Sequence, residues 1–203
     1  MAGGGHLSDN FSMKSIPVLL LSLLLLGCGQ QPEEAPSTDP PLITAAESGD
    51  MGRLEQLLSA SDNPNVRDSC QWTPLMKAAH NGHLPVVERL LLLNAEVDLA
   101  DKGGYTALLL AASNNHVAII ERLHAAGANL DQQEQTNGWT ALIWAATKGH
   151  KASVERLLAL GANPNLKDFK GRTARDWAEL QQHEEILPLC VKKAAQKGVN
   201  KGQ

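Results

Sequence analysis

The chain has 203 residues, of which 43% are hydrophobic and 20% charged, and it carries a net charge of −4. That length accommodates one ordinary soluble domain. The negative balance argues against a nucleic-acid partner, since lysines and arginines are scattered and only the tail (Lys192, Lys193, Lys197, Lys201) gathers like charge, as solvated ends usually do.

Residues 1–12 are polar, glycine-rich and without pattern. Met13-Lys14 then leads into an apolar run from Ile16 to Leu26 and small residues, the anatomy of a secretory signal over residues 1–27; it is more typical if the chain starts at Met13, beyond Asp9. The run is too short to span a bilayer comfortably. It ends in Leu25-Leu26-Gly27-Cys28, which resembles a bacterial lipobox. That resemblance implies cleavage before Cys28, a lipid such as palmitate on its sulfur and, with Gly29 rather than Asp following, delivery to the outer membrane facing the periplasm. The rest of residues 28–41 reads GQQPEEAPSTDPP, with four prolines, three acids and no large apolar side chain, and is expected to be an extended tether.

Over residues 42–191 one pattern of about 33 residues is written three times, with partial copies at both ends. The full copies open QWTPLMKAAHNGH (Gln71 to His83), GYTALLLAASNNH (Gly104 to His116) and GWTALIWAATKGH (Gly138 to His150), and Thr73, Thr106, Thr140 and Thr173 fall 33, 34 and 33 residues apart. A fixed period of this length predicts stacked repeats. Leu75, Ala78 and Ala79 share one face of a first helix, where the small alanines let neighbouring helices approach closely. Val86, Val87, Leu90 and Leu91 give a second helix a wider apolar face. A Gly-His turn joins the two, and Asn94, Gly127 and Gly161 stand where the second helix ends and a left-handed residue is required. The connection to the next threonine, rich in Asp, Asn, Gly and Pro, predicts an extended turn finger. A lone repeat cannot bury both faces, so stacking must supply the stability, with Leu108 and Leu142 interior. Residues 42–68 lack the Thr-Pro-Leu opening, while the last copy puts Arg175 in the leucine slot and Gln182 in the turn-glycine slot; both ends therefore read as caps. Residues 192–203 are expected to form a disordered basic tail.

The Thr-Pro-Leu opening, the alanine pair, the Gly-His turn, the Val-Val-x-x-Leu-Leu segment and the Gly-Ala ending together resemble the ankyrin repeat, over roughly Pro41 to Val191. The resemblance implies an all-α solenoid of about three full helix-turn-helix repeats between an N-terminal and a C-terminal capping repeat, joined by β-turn fingers. Ala107, Ala141 and Ala174 replace the usual proline, Asn115 replaces the turn glycine, and one residue inserted within 132–137 is expected to lengthen one finger. It also implies that His83, His116, His150 and His183 bond to backbone between repeats.

Catalytic chemistry is not written in the chain. His80 and His124 lack an acid or cysteine partner at ligand spacing, so no metal site is expected. Ser113 and Ser153 sit in no nucleophile motif, and neither a phosphate loop nor a paired carboxylate occurs, so no enzyme, cofactor or small-molecule substrate is expected. Glu88-Arg89, Glu121-Arg122 and Glu155-Arg156 are neighbours that do not face each other on a helix, and read as solvated outer positions. Cys70 and Cys190 fall in repeats at opposite ends of the stack, too far apart for a disulfide; Cys190 is expected to be packed and Cys70 exposed on a finger.

Six aromatic residues follow Cys28. Trp72, Tyr105 and Trp139 precede successive repeat threonines and Arg172 takes that slot in the last copy, a slot that by resemblance lies on the finger, exposed toward the concave groove. Trp144 and Trp177 share another slot, expected to pack between repeats. Exposed rings lose burial energy in the free protein, whereas Trp, Tyr and Arg are enriched at binding hot spots. Trp72, Tyr105, Trp139 and Arg172, flanked by His80, Asn81, Ser113, Asn114, Thr147 and Lys148, are therefore the expected partner-binding stripe, and Trp139→Ala is expected to weaken binding while leaving the melting temperature nearly unchanged. The expected function is a lipid-anchored module that binds another protein in the periplasm, as an immunity protein against a toxin or as a scaffold protecting an envelope enzyme. The competing expectation is a thiol-dependent redox or enzymatic factor using Cys70.

Overall fold

The computed structural model describes residues 39–60 and 63–190. The expected signal, the lipobox with Cys28, most of the tether and the basic tail lie outside the described residues. Among those described, nine helices follow in order: α1 (Pro41–Ser48), α2 (Met51–Ala60), α3 (Pro74–Asn81), α4 (Leu84–Leu92), α5 (Ala107–Ser113), α6 (Val117–Ala125), α7 (Ala141–Thr147), α8 (Lys151–Leu160) and α9 (Ala174–Leu180), with helix resuming at residues 187–190. None is long and apolar enough to cross a membrane.

Odd-numbered helices pack on one another in one row and even-numbered helices in a second. Helices of the odd row have 7 or 8 residues, those of the even row 9 or 10. Ala78, Ala79, Ala111, Ala112, Ala145 and Ala146 are all fully buried, and the absence of side-chain bulk brings the odd helices into closer contact than the even ones. A stack whose one row is shorter and tighter bends toward that row, which is therefore the inner one. Leu75, Leu108 and Leu142 run through the interior as expected, at 1–2% exposure. Each such leucine contributes about 1.5–3 kcal/mol by leaving water. Val86, Leu90, Ile119, Leu123, Val154 and Leu157 do the same from the outer row.

The repeating threonine is a helix N-cap. Oγ1 of Thr73, Thr106, Thr140 and Thr173 accepts the amide N–H three residues on, at 3.2, 3.4, 3.2 and 3.3 Å, supplying a partner to a donor the first turn leaves free. The first cap lacks this device, since α1 follows Pro40 with no side-chain cap.

Successive repeats are tied together at three levels. At the turn, Nε2 of His83, His116, His150 and His183 meets the carbonyl oxygens of Glu47, His80, Ser113 and Thr147 in the preceding repeat, at 2.9, 3.0, 3.0 and 3.2 Å. This is the bonding the resemblance implied, and it explains the preceding glycine. Gly82 has a left-handed backbone, and a Cβ there would lie 2.7 Å from the His116 ring. Asn115 keeps the left-handed turn, with its Oδ1 accepting from Ser153 Oγ at 2.8 Å. At the base of the fingers, the side-chain oxygens of Asn65, Asp98 and Asp131 accept the amides of Glu96, Asn129 and Asn163 one repeat on. Nearer the tips, single backbone bonds run from Lys102 N to Cys70 O, Gln135 N to Gly103 O and Phe169 N to Asn137 O.

Each finger also closes on one acid. Asp68 Oδ1 accepts the amides of Cys70 and Trp72, Asp101 Oδ1 those of Gly103 and Tyr105, and Asp168 Oδ1 those of Lys170 and Arg172. The third finger is longer by one residue, as expected, and there the acid is Glu134, longer by one methylene. Its two oxygens accept the amides of Thr136, Asn137 and Trp139.

Candidate functional site

The stripe residues stand on the fingers beside the inner helices, and the slot expected to be exposed is half-buried throughout. Trp72, Tyr105 and Trp139 lean on the core, so the expectation of free rings is corrected. The fingers lie close against the first helices, and each ring finds a neighbour there. Trp139 meets Trp144 edge-on at 4.7 Å between centroids and Trp177 at 4.9 Å; Tyr105 lies 6.1 Å from Trp144. The guanidinium of Arg172 sits 4.8 Å above the Trp177 ring. Trp144 and Trp177 pack as expected, Trp177 being buried. Trp72 stands apart, edge-on to His80 at 5.6 Å, with Lys77 Nζ 5.0 Å above it.

The hub of the C-terminal group is Asp168, to which the sequence reading gave no role. It is 5% exposed. While Oδ1 closes its own finger, Oδ2 accepts the indole N–H of Trp177 at 2.8 Å and of Trp139 at 3.2 Å. Burial works to raise its pKa, but the Arg172 amide, the Trp177 indole, the Lys170 amide and the Trp139 indole outweigh it and hold the carboxyl below its ordinary range. Acids at a repeat spacing, Asp68, Asp101, Glu134 and Asp168, were the signal that pointed to these fingers.

The flanking residues form rows at the C-terminal ends of the inner helices. His80, Ser113 and Thr147 are half-buried, whereas Asn81, Asn114 and Lys148 are exposed. His80 and Asn114 come together, with Asn114 Nδ2 3.1 Å from His80 Nδ1 and also donating to Leu110 O and Ser113 Oγ. Asn81 Nδ2 donates to Glu47 O at 2.8 Å. Lys148 Nζ lies 5.9 Å over Trp144. Ser113 and Thr147 donate their hydroxyls to Leu110 O and Ile143 O, so neither is directed at a base. Burial, then His116 and Lys77, lower the pKa of His80 against the pull of Glu47, and burial with Glu134 and Asp101 raises that of Tyr105. This face offers ring surface, amides and cations for binding.

Elsewhere the glutamates of the Glu-Arg pairs are exposed as expected, but the arginines are half-buried. Arg89 reaches back to Glu55 at 2.8 Å and Arg156 to Glu121 at 2.7 Å, pairing between repeats instead of within one helix. Cys70 is exposed and Cys190 buried, both as free thiols, and burial pushes the Cys190 thiol up to about 11 despite Arg175. Among the described residues no three His, Cys, Asp or Glu side chains come together as a metal-holding group.

Helix pairs joined by a histidine-covered turn, tied by side-chain ladders and iterated along one axis, define a helical-repeat solenoid. The family model described as ankyrin repeats (3 copies) matches residues 42–134 and, overlapping them, 108–201. The chain belongs to the ankyrin-repeat family, whose stacks are protein–protein interaction modules. A search of curated proteins finds no match.

Proposed function

We propose that this protein is a lipid-anchored interaction module of the bacterial cell envelope, held at the outer membrane through Cys28, facing the periplasm and binding a protein partner on its inner face. The observation that carries the binding reading is the run Tyr105–Trp144–Trp139–Trp177 along that face, in a chain with only 3% aromatic residues. Half-buried rings locked by neighbours present flat apolar surface at little further entropic cost, which is how aromatic anchors act at interfaces. The anchoring reading rests on Lys14, the apolar run and Leu25-Leu26-Gly27-Cys28. Two roles suit such a module, neutralising a toxin that enters the periplasm or shielding an envelope enzyme; a toxin gene or a peroxidase gene beside this one separates them.

The test places photoreactive benzoylphenylalanine at exposed Asn114 on the inner face or at exposed Glu88 on the outer row, followed by irradiation of cells. A discrete protein adduct from position 114 alone is expected. Adducts from 88 alone, or from neither position, refute the inner-face reading. Cys28→Ser is expected to abolish palmitate labelling, and labelling that persists refutes the anchor.

A further inference from the structure

Charge on the stack is balanced everywhere except in one region. On the outer row Arg89 pairs with Glu55, Arg156 with Glu121 and Lys151 with Glu155. At the N-terminal end of the inner face Lys77 pairs with Glu47 at 3.0 Å. Toward the other end Lys102, Lys148, Lys170 and Arg172 enter no ion pair among the described residues, and the three lysines are exposed.

The acids that might answer them are turned inward. Glu134 is 1% exposed and Asp168 5%, and both spend their oxygens on amides and indoles of the fingers. Asp101 is half-buried and accepts the amides of its own finger. Meanwhile Lys148 and Arg172 hold their cations over the Trp144 and Trp177 rings. An approaching molecule therefore meets aromatic surface framed by cations, with the carboxylates behind. Complementary charge is what such a surface lacks, and it sets partner choice and encounter rate more than raw affinity.

We infer that the C-terminal half of the inner face binds an acidic polypeptide segment, its carboxylates answering Lys102, Lys148 and Lys170 and an apolar side chain lying against Tyr105 and Trp139. This rests on the interaction reading above and specifies the partner's chemistry. A nucleic acid is the other polyanion such cations would attract, but the net charge of −4 opposes it at long range.

The probes are a twelve-residue peptide of glutamates around one central phenylalanine, its lysine counterpart, and a twelve-nucleotide thymidine strand, each titrated into the full chain with the Trp139 and Trp144 indole N–H signals followed by NMR. The glutamate peptide is expected to shift both signals and to bind at least tenfold more tightly than either other probe. The combined Lys102→Glu, Lys148→Glu and Lys170→Glu variant is expected to lose at least tenfold of that affinity with an unchanged melting temperature. Equal binding of the lysine peptide, equal or tighter binding of the nucleotide strand, unmoved indole signals, or an unaffected triple variant each overturn the inference. The cellular adduct from position 114 keeps the two readings apart: if it forms while the peptide fails, the interaction module stands and its acidic partner falls.

Discussion

Trp72 and Trp139 fill the same slot 67 residues apart, yet they belong to different structures. In the N-terminal half Trp72 has one edge-on imidazole and one lysine for company, and that lysine is already committed to Glu47. In the C-terminal half Trp139 touches two further indoles and donates to a buried carboxylate. The slot is identical, but the fourth residue after each repeat threonine differs: Lys77, Leu110, Trp144 and Trp177 in turn. Asp68, Asp101 and Asp168 each close a finger with one oxygen, while only beside Trp139 and Trp177 does the second oxygen find indole donors. A repeat position thus fixes where a side chain stands, and the neighbouring repeat decides what it does.

The largest effects are expected where the halves do not differ. Leu75→Ala and Leu142→Ala, in equivalent slots at 2% and 1% exposure, are each expected to cost about 2–5 kcal/mol. Chemical denaturation of the pair checks this; losses far apart would place the asymmetry in the core and break the comparison drawn from the face. Next come the two tryptophans. Trp139→Ala is expected to lose about 3 kcal/mol, near the core value for a ring of that size, and Trp72→Ala about 1 kcal/mol. Equal melting temperatures for these variants would erase the difference between the halves.

Asp168→Asn sharpens the comparison further. The amide nitrogen that replaces Oδ2 faces two indole donors, so about 2 kcal/mol is expected to go, as when buried donors lose their acceptor. The pH dependence carries the sign. A carboxyl held below its ordinary pKa in the fold stabilises the protein fully above the unfolded value of about 3.9 and loses that contribution as pH falls through the lower folded value. Melting curves between pH 7 and pH 2 are therefore expected to show the wild type declining more steeply than Asp168→Asn below about pH 4. Some slope is expected to remain, because Asp176, bonded to the Thr173 amide and hydroxyl, is depressed in the same direction. Parallel curves would remove Asp168 from its place as hub. The smallest effect is at Glu134→Asp, where the shorter acid no longer reaches all three amides of the long finger and about 1 kcal/mol is expected to be lost.

Much of the scaffold was legible because it is local or periodic. The threonine spacing located every inner helix after the first, Asn94 adopts the left-handed conformation its slot required, and the four histidines bridge repeats as the resemblance implied. The candidate face was legible in position but not in character. Whether a ring in the Trp139 slot is free depends on Trp144, Trp177 and Asp168, and the Asp168 contacts join residues 29 and 9 positions apart in sequence. The ion pairs were hidden by adjacency: Glu88-Arg89 draws the eye to its own helix, while Arg89 answers Glu55, a full repeat earlier. For the same reason, the expectation that Trp139→Ala leaves stability untouched does not survive the structure.

The finger closed by Glu134 bears on how a repeat chain tolerates a change of length. The extra residue falls between Gln135, whose amide reaches back to Gly103, and Asn137, whose carbonyl serves Phe169 of the next finger. Thr136 is exposed, and its amide is taken up by Glu134 itself. The additional 3.8 Å of backbone is thus absorbed within one arc. The phase of every ladder beyond it is undisturbed, with Phe169, Asn163 and His183 still engaging the repeat before them. Such an arc quarantines an insertion, which makes residue 136 the natural point at which to graft a guest loop onto this solenoid without retuning its period.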